Sequence, residues 1–533
     1  MTARVLAYDV GTSGVKAVLT DDEGRILASR QAAYGLQTGH GGWVDQDLDD
    51  ILAALARATR ELFASVEDAP VDAIAITAQM FNLVAVDRDG QPLLPMLSWL
   101  DQRATAQAEK LARRLGPADQ FARFGSIITA KDVIPKILWL REERPDIWRR
   151  THHLLDCKEA IVGHLTGSVA MDPAGATAFR LFDLVERDWS AAACLELGIE
   201  RGLLADVRPA TSVLAGLGRE AATALGLPAG IPVVVGAGDV PASQVGAGAI
   251  RPGDAHVSLG TAVYFGITVD RPVIDPAGQL GVIGHVDPDL WILWLEVATG
   301  GGALTWLLRM LGSAEGDEPG PAALAEVDRL VESATGMDDL LFAPWLSGER
   351  VPVFDDRARG AFVGLGLNHG RGHLMRALME GVAHQMRWAL EYATDFGVPI
   401  GEIRGVGGGC IGTSWTQIIA DALGRPLLSM AEPQDAAARG AAATALVGLG
   451  VEPDLSFTRR LAEVERIHEP DPGRVAELDG AHDRFRRLYD ALHPIYHDRL
   501  ATATKPREPA GPGPRVPPLA DSGAIVEEAK AIG

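Results

Sequence analysis

The sequence predicts an α/β protein of two lobes around a cleft, and three observations lead there. The chain has 533 residues and is 47% apolar, enough to fill two cores. Strand-like apolar runs alternate with helical periodicity over roughly the first hundred residues. The second half also opens like the first. Residues 255–258 and 263–269 flank Gly260 and Thr261 much as residues 4–10 and 15–19 flank Gly11, Thr12 and Ser13.

Taken in order, residues 4–10, 15–19 and 26–32 read as a three-stranded meander, the last strand following the turn Asp21-Asp22-Glu23-Gly24. Asp47 caps a helix whose Leu48, Ile51, Leu52, Leu55, Leu62 and Phe63 share a face. Residues 73–77 form a buried strand, and residues 83–86 follow before the turn Asp87-Arg88-Asp89-Gly90. Proline and glycine in Ile250-Arg251-Pro252-Gly253 interrupt two apolar runs, which divides the chain into a first domain, 1–250, and a second, 251–450. Residues 303–311 read as a helix. Residues 404–406 lead into the triplet Gly407-Gly408-Gly409, after which Ser414 caps a helix carrying Trp415, Ile418, Ile419, Ala422 and Leu423 and stopped by Gly424. An alanine-rich helix at 435–449 is expected to pack closely beside it. Residues 451–504 form a helical segment, and the proline-rich residues 505–533 a flexible tail.

Asp9 and Asp239 each close an apolar run beside a glycine turn, in Asp9-Val10-Gly11-Thr12-Ser13-Gly14 and Gly236-Ala237-Gly238-Asp239. A dinucleotide-binding turn brings glycines straight to the pyrophosphate, where a carboxylate would repel the anion. Asp9 therefore argues for Mg²⁺ between protein and phosphate, and against a nicotinamide enzyme. The net charge of −22 opposes a nucleic-acid partner. Cys157, Cys194 and Cys410 are too widely spaced for a disulfide framework or a zinc site, and no apolar run is long enough for a membrane span. The expectation is a cytoplasmic protein without membrane or nucleic-acid partners; a homodimer stays open.

The chain resembles the FGGY carbohydrate kinases, of the superfamily that includes actin, the heat-shock chaperone ATPases and hexokinase, with the xylulokinase branch closest. The resemblance rests on residues 9–16, Gln79-Met80, Trp99 with Asp101, Gly238-Asp239, Ser258-Leu259-Gly260-Thr261, Pro344-Trp345-Leu346-Ser347-Gly348-Glu349-Arg350 and the triplet Gly407-Gly408-Gly409. It implies two ribonuclease-H-like domains, the first holding sugar and the second the adenosine end of ATP. It further implies Asp239 as general base, Asp9 on Mg²⁺, and a sugar site formed by Gln79, Met80, Phe81, Trp99, Asp101, Asp239 and Val240. Gly11, Thr12, Ser13, Gly260, Thr261, Gly301 and Thr305 would face the ATP phosphates and ribose, and Gly408, Gly409 and Gly412 the adenine. Lys16 is read as a solvated strand lysine, and Glu349-Arg350 as a structural ion pair or closure contact.

Three positions depart from the xylulokinase pattern. Gly-Gln-Met-His-Gly reads Ala78-Gln79-Met80-Phe81-Asn82, Trp-Asn-Asp reads Trp99-Leu100-Asp101, and the asparagine after the catalytic aspartate is Val240. Each removes a hydrogen-bonding group, and a site that loses such bonds loses discrimination for the hydroxyls they served. The expected activity is ATP-dependent phosphorylation of a small sugar, xylulose not necessarily included. A polyol or deoxy-sugar kinase is the alternative within the family, and a non-catalytic ATP-dependent binding or assembly protein the alternative outside it.

Overall fold

The computed structural model describes residues 3–66, 70–116, 119–120, 124, 126–312, 321–337 and 339–503; the proline-rich tail at 505–533 lies outside the described residues. The first seven-stranded sheet consists of β1 (Val5–Val10), β2 (Gly14–Thr20), β3 (Ile26–Ala33), β4 (Ala73–Ala78), β5 (Val213–Gly216), β6 (Pro232–Val234) and β7 (Ala237–Gly238). The second consists of β8 (Ala255–Leu259), β9 (Val263–Val269), β10 (Gly281–Gly284), β11 (Trp291–Val297), β12 (Ile403–Val406), β13 (Leu427–Met430) and β14 (Val464–His468).

The two sheets repeat one plan. In the first, β3 and β2 pair antiparallel toward β1, β4 and β6 follow in parallel, and β5 closes the edge antiparallel. In the second, β11, β9 and β8 take the meander's place, β12 and β13 the parallel positions, and β14 the edge. The duplication expected from the two glycine turns is therefore present strand by strand, with β10 added outside β11. The strand expected at residues 83–86 is present as Val84–Val86, which pairs with His153–Leu155 in a separate two-stranded sheet.

Local chemistry explains the elements. β1 and β4 are buried almost throughout, as central strands covered on both faces are. Asp47 caps the helix Leu48–Phe63 by accepting from the Asp49 N–H. The helix Thr413–Leu423 starts two residues earlier than expected, with Gly412 rather than Ser414 at its N-cap and Gly424 in the left-handed region at its end; Ser414 lies inside the helix and reaches toward Glu332.

The alanine-rich helix Ala436–Gly448 does not pack closely beside its predecessor as expected. It packs against β1, β4 and the helix Asp239–Gly246 of the other half. A Cβ on Gly246 would overlap the Ala436 carbonyl oxygen, and one on Gly440 the Ala242 carbonyl oxygen. Two backbones thus meet where the halves cross, which only glycine permits. No described helix is long and apolar enough to cross a membrane.

Candidate active site

Asp9 and Asp239 lie at the carboxyl ends of strands on either side of β4. Asp9 is in register with Thr77, and Gly238, just before Asp239, with Ala78. Two strand spacings put the two backbones roughly 10 Å apart, a span that polar ligand groups can bridge. Gly236 (φ 72°) and Gly238 are obligatory here, since a Cβ would strike the Ile76 carbonyl at the first and the Met80 side chain at the second.

Neither carboxylate has a cationic partner in contact. Asp9 accepts no hydrogen bond among the described residues, and Asp239 accepts one side-chain bond, from the Val240 N–H at 2.9 Å. Burial, with the charge of Asp9 next, pushes the Asp239 carboxyl up to about 7. Burial likewise pushes Asp9 up to about 6, against the opposing pull of Lys16. Two ionisable carboxylates left uncompensated make a place for a cation, and an all-oxygen donor set suits Mg²⁺.

Lys16 differs from its sequence reading. It is buried, and its ammonium donates to the Gln434 carbonyl at 2.9 Å and pairs with the Asp435 carboxylate. Strand alternation and the β1–β2 register place it opposite Asp9.

On the acceptor side, the turn after β4 carries Gln79, Met80 and Phe81. Gln79 is held by Gln46, to which its amide donates at 2.7 Å. Phe81 has φ 67°, uncommon for a residue with a Cβ, and its carbonyl accepts from buried Lys136 at 2.9 Å. The Phe81 ring stacks on Trp294 of β11 at 5.4 Å, and Trp294 meets Tyr264 edge-on at 6.4 Å. Met80, Phe81, Val240, Tyr264, Ile283, Ile292 and Trp294 form one apolar cluster joining the two halves. Val240 is buried in that wall.

Several expected ligand groups are taken up within the protein. Both Asp101 oxygens are used, by the Val44 N–H at 2.6 Å and by the backbone and guanidinium of Arg103. Asp101 is fully buried and fixes Arg103, which lies 4.0 Å from the Trp43 ring centroid. Thr12 accepts from the Trp99 indole N–H at 3.0 Å and donates to Gln79 at 3.4 Å, which joins the glycine turn after β1 to the turn after β4. Thr305 bonds back to the Gly301 carbonyl of its own helix at 3.3 Å. Gly300, Gly301 and Gly302 donate to the Gly260 and Thr261 carbonyls at 2.7–3.0 Å, so this helix start clamps the second glycine turn. Ser13 is exposed and Gly11 partly so. In the triplet, Gly407 and Gly409 are needed because Leu259 presses against them, whereas a Cβ on Gly408 would meet nothing within 4 Å and one on Gly412 only Asp328 at 3.9 Å. Gly408 and Gly412 face open space, and Gly409 serves packing.

Glu349 does not pair with its neighbour. Its buried carboxyl accepts from the Ala298 and Arg350 N–H groups at 2.9 and 2.8 Å and is pushed up to about 8 by burial, while Arg350 reaches Asp356 at 2.6 Å.

The sequence reading missed Asn82. Its side chain donates to Asp156 and to the Gln79 carbonyl, both at 2.9 Å, and accepts from the Trp99 N–H at 2.9 Å. One buried amide thus ties together three segments of the acceptor side. The available signal was a polar residue directly after a buried strand and turn.

Residues 4–246 match the family model for the FGGY carbohydrate kinase N-terminal domain, and residues 255–449 the model for the C-terminal domain. The chain is 29% identical to the xylulose kinase of Escherichia coli strain K12 over 92% of this chain and 99% of that protein. It is 28% identical to the gluconokinase of Bacillus subtilis strain 168 over 79% of this chain and 83% of that one. The crystal structure of ligand-bound xylulose kinase from Lactobacillus acidophilus superposes with a TM-score of 0.86 at 25% identity, covering 93% of this chain and all of that one. Paired carboxylates at strand ends, a duplicated sheet and two family domains in sequence lead to one conclusion: the chain belongs to the FGGY family of carbohydrate kinases and is a phosphotransferase that moves phosphate from ATP to a sugar hydroxyl.

Proposed function

We propose that Asp239 is the general base that takes the proton from the acceptor hydroxyl as that oxygen attacks the γ-phosphate of ATP. The observation carrying this is the Asp239 carboxyl, pushed up to about 7 and free of any cationic partner in contact at the edge of the cleft. A base poised near neutrality, within reach of the acceptor, is what proton removal needs. Phosphoryl transfer otherwise asks for positioning and charge stabilisation. Asp9 would hold Mg²⁺, which when bound neutralises phosphate charge. Gly11 and Ser13 border the phosphate path, and Gly408 and Gly412 leave the open space an adenine ring requires. Gln79, Met80, Phe81, Trp99 and Val240 would bound the acceptor, with Asp101 supporting them from behind. The cytoplasm, where ATP is abundant, fits this activity.

The acceptor is a small polyhydroxylated compound, and the relatives' names supply two starting points, xylulose and gluconate. The test is ADP release from Mg-ATP over a panel of ketoses, aldoses, polyols, deoxy sugars and aldonates. Acceptor-dependent ADP release that Asp239→Asn abolishes supports the reading. ADP release independent of every acceptor would instead favour an ATPase driving conformational work.

A further inference from the structure

Arg180 follows the short helix Pro173–Ala178. It is 8% exposed, its side chain makes no hydrogen bond among the described residues, and its buried Nε has no partner. Its nearest carboxylate, Asp132, stands 3.6 Å away, outside hydrogen-bond reach, and the other Asp132 oxygen is occupied by the Thr129 N–H and hydroxyl at 2.8 and 2.9 Å. The guanidinium carbon lies 5.6 Å from the centroid of the Phe81 ring. Trp294 stacks on the same ring, and its indole N–H is also buried without a partner. Two unsatisfied donors therefore lie beside Phe81, which shares an apolar cluster with Val240, the residue after Asp239. A buried guanidinium lacking hydrogen bonds is costly to keep, and both Arg180 (φ 60°) and Phe81 (φ 67°) hold left-handed backbone conformations that disfavour side chains.

We propose that Arg180 is a specificity residue that receives the carboxylate of an acidic sugar, an aldonate, whose far hydroxyl is presented to Asp239. The proposal rests on the kinase reading above and narrows its acceptor. A guanidinium fork matches a carboxylate in two parallel bonds, and the Trp294 N–H adds a donor for a neighbouring oxygen. The other charged groups at this end are Asp132, Lys131, Arg350 and Glu296. Arg350 is committed to Asp356. Glu296 alternates with Trp294 along β11 and so faces the same side; burial raises its carboxyl above the ordinary range. The polar groups absent from positions 81, 100 and 240 are then consistent with an acceptor anchored through its anionic end.

The test uses the full chain. Binding by calorimetry and steady-state ADP release are measured with four- to six-carbon aldonates and with the matching ketoses and polyols, for the wild type, Arg180→Lys and Arg180→Met. The expected result is aldonate use by the wild type, an aldonate KM raised roughly 100-fold or more in Arg180→Met and less in Arg180→Lys, with kcat moving much less than KM. ADP affinity should hold, as a control for folding. The melting temperature of the unliganded Arg180→Met protein should stay level or rise, since an unsatisfied charge has been removed. Neutral acceptors phosphorylated while aldonates neither bind nor react would overturn the anion anchor and leave the kinase reading standing. No ADP release with any acceptor would count against the kinase reading, and the aldonate calorimetry would still decide on Arg180. A melting temperature that falls in Arg180→Met, with equal losses for every acceptor, would show a structural ion pair and overturn the proposal as well.

Discussion

Replacing Asp239 by asparagine keeps the shape of the side chain and its backbone contact but removes an ionisable group that the fold disfavours when charged. Moving the carboxyl from 3.8 to about 7 disfavours its ionised form by roughly 4 kcal/mol at most, less where the neighbouring Asp9 adjusts its own proton. The sign follows from which state binds the proton more tightly. The folded protein does, so this contribution to stability is complete below about pH 4 and is lost as pH rises toward about 7. Asparagine is neutral throughout. Asp239→Asn should therefore melt a few degrees above the wild type at pH 8, with the gap closing toward pH 4, while kcat falls by about two to four decades. The wild-type kcat/KM should climb through an acid limb near pH 7 as the base ionises, and Asp9→Asn should move that limb downward by removing a repelling charge. Differential scanning fluorimetry in matched buffers and pH–rate profiles test both halves. Turnover by Asp239→Asn within a few-fold of the wild type, or a wild-type profile flat from about pH 5.5 to 8, would refute the assignment of Asp239 as the base.

Asp9→Ala should raise the Mg²⁺ concentration needed for half-maximal turnover while leaving metal-free nucleotide binding nearly intact, read by titrating Mg²⁺ in the ADP assay. Asn82→Ala strands the Gln79 carbonyl and the Trp99 N–H and takes one of three donors from Asp156; it should cost about 2–4 kcal/mol in denaturant unfolding and raise the acceptor KM without altering ADP affinity. Gly440→Ala drives a methyl group into the Ala242 carbonyl and should cost about 3 kcal/mol or more, visible as a lowered denaturant midpoint, whereas Gly408→Ala meets no atom within 4 Å and should spare stability while weakening nucleotide binding.

The duplicated plan was legible because each glycine turn sits between runs of strand periodicity, and those runs survive intact as β1, β2, β8 and β9. Asp9 and Asp239 were legible for a similar reason: an acid closing a buried strand is locally conspicuous. What escaped depends on partners distant in sequence. Lys16 is a surface lysine by every local rule, yet its partner Asp435 is 419 positions away. Asp101 reads as an open ligand until Arg103, itself paired with Asp45, and Val44 are seen gathered on it. The glycine triplet shows the same limit at finer scale, since nothing local tells Gly408, which faces open space, from Gly409, which is pressed against Leu259. Ser414 fits an N-cap by composition, but Gly412 already has the extended backbone a cap needs, and the helix begins there.

Charges in this protein sort into two kinds, and the division follows the cleft. Away from it, several buried ions are closely matched: Lys158 lies 2.5 Å from Glu159 and 3.2 Å from Asp172, and Arg459 joins Asp254 and Glu402. Such pairs recover in mutual attraction much of what desolvation costs. Along the cleft the matching stops. Asp9 accepts no bond among the described residues, Asp239 has one amide, and Arg180 makes no side-chain hydrogen bond. A fold selected for stability alone would pair these groups closely or delete them, so the persistence of two carboxylates without a cation in contact and of a guanidinium with one loose ion pair to Asp132 is intelligible when ligands complete them. The order of charge along the cleft then gives the order of the ligands. Two carboxylates beside β4 call for a cation and a proton to remove, and the guanidinium beside Phe81 calls for an anion at the acceptor's other end.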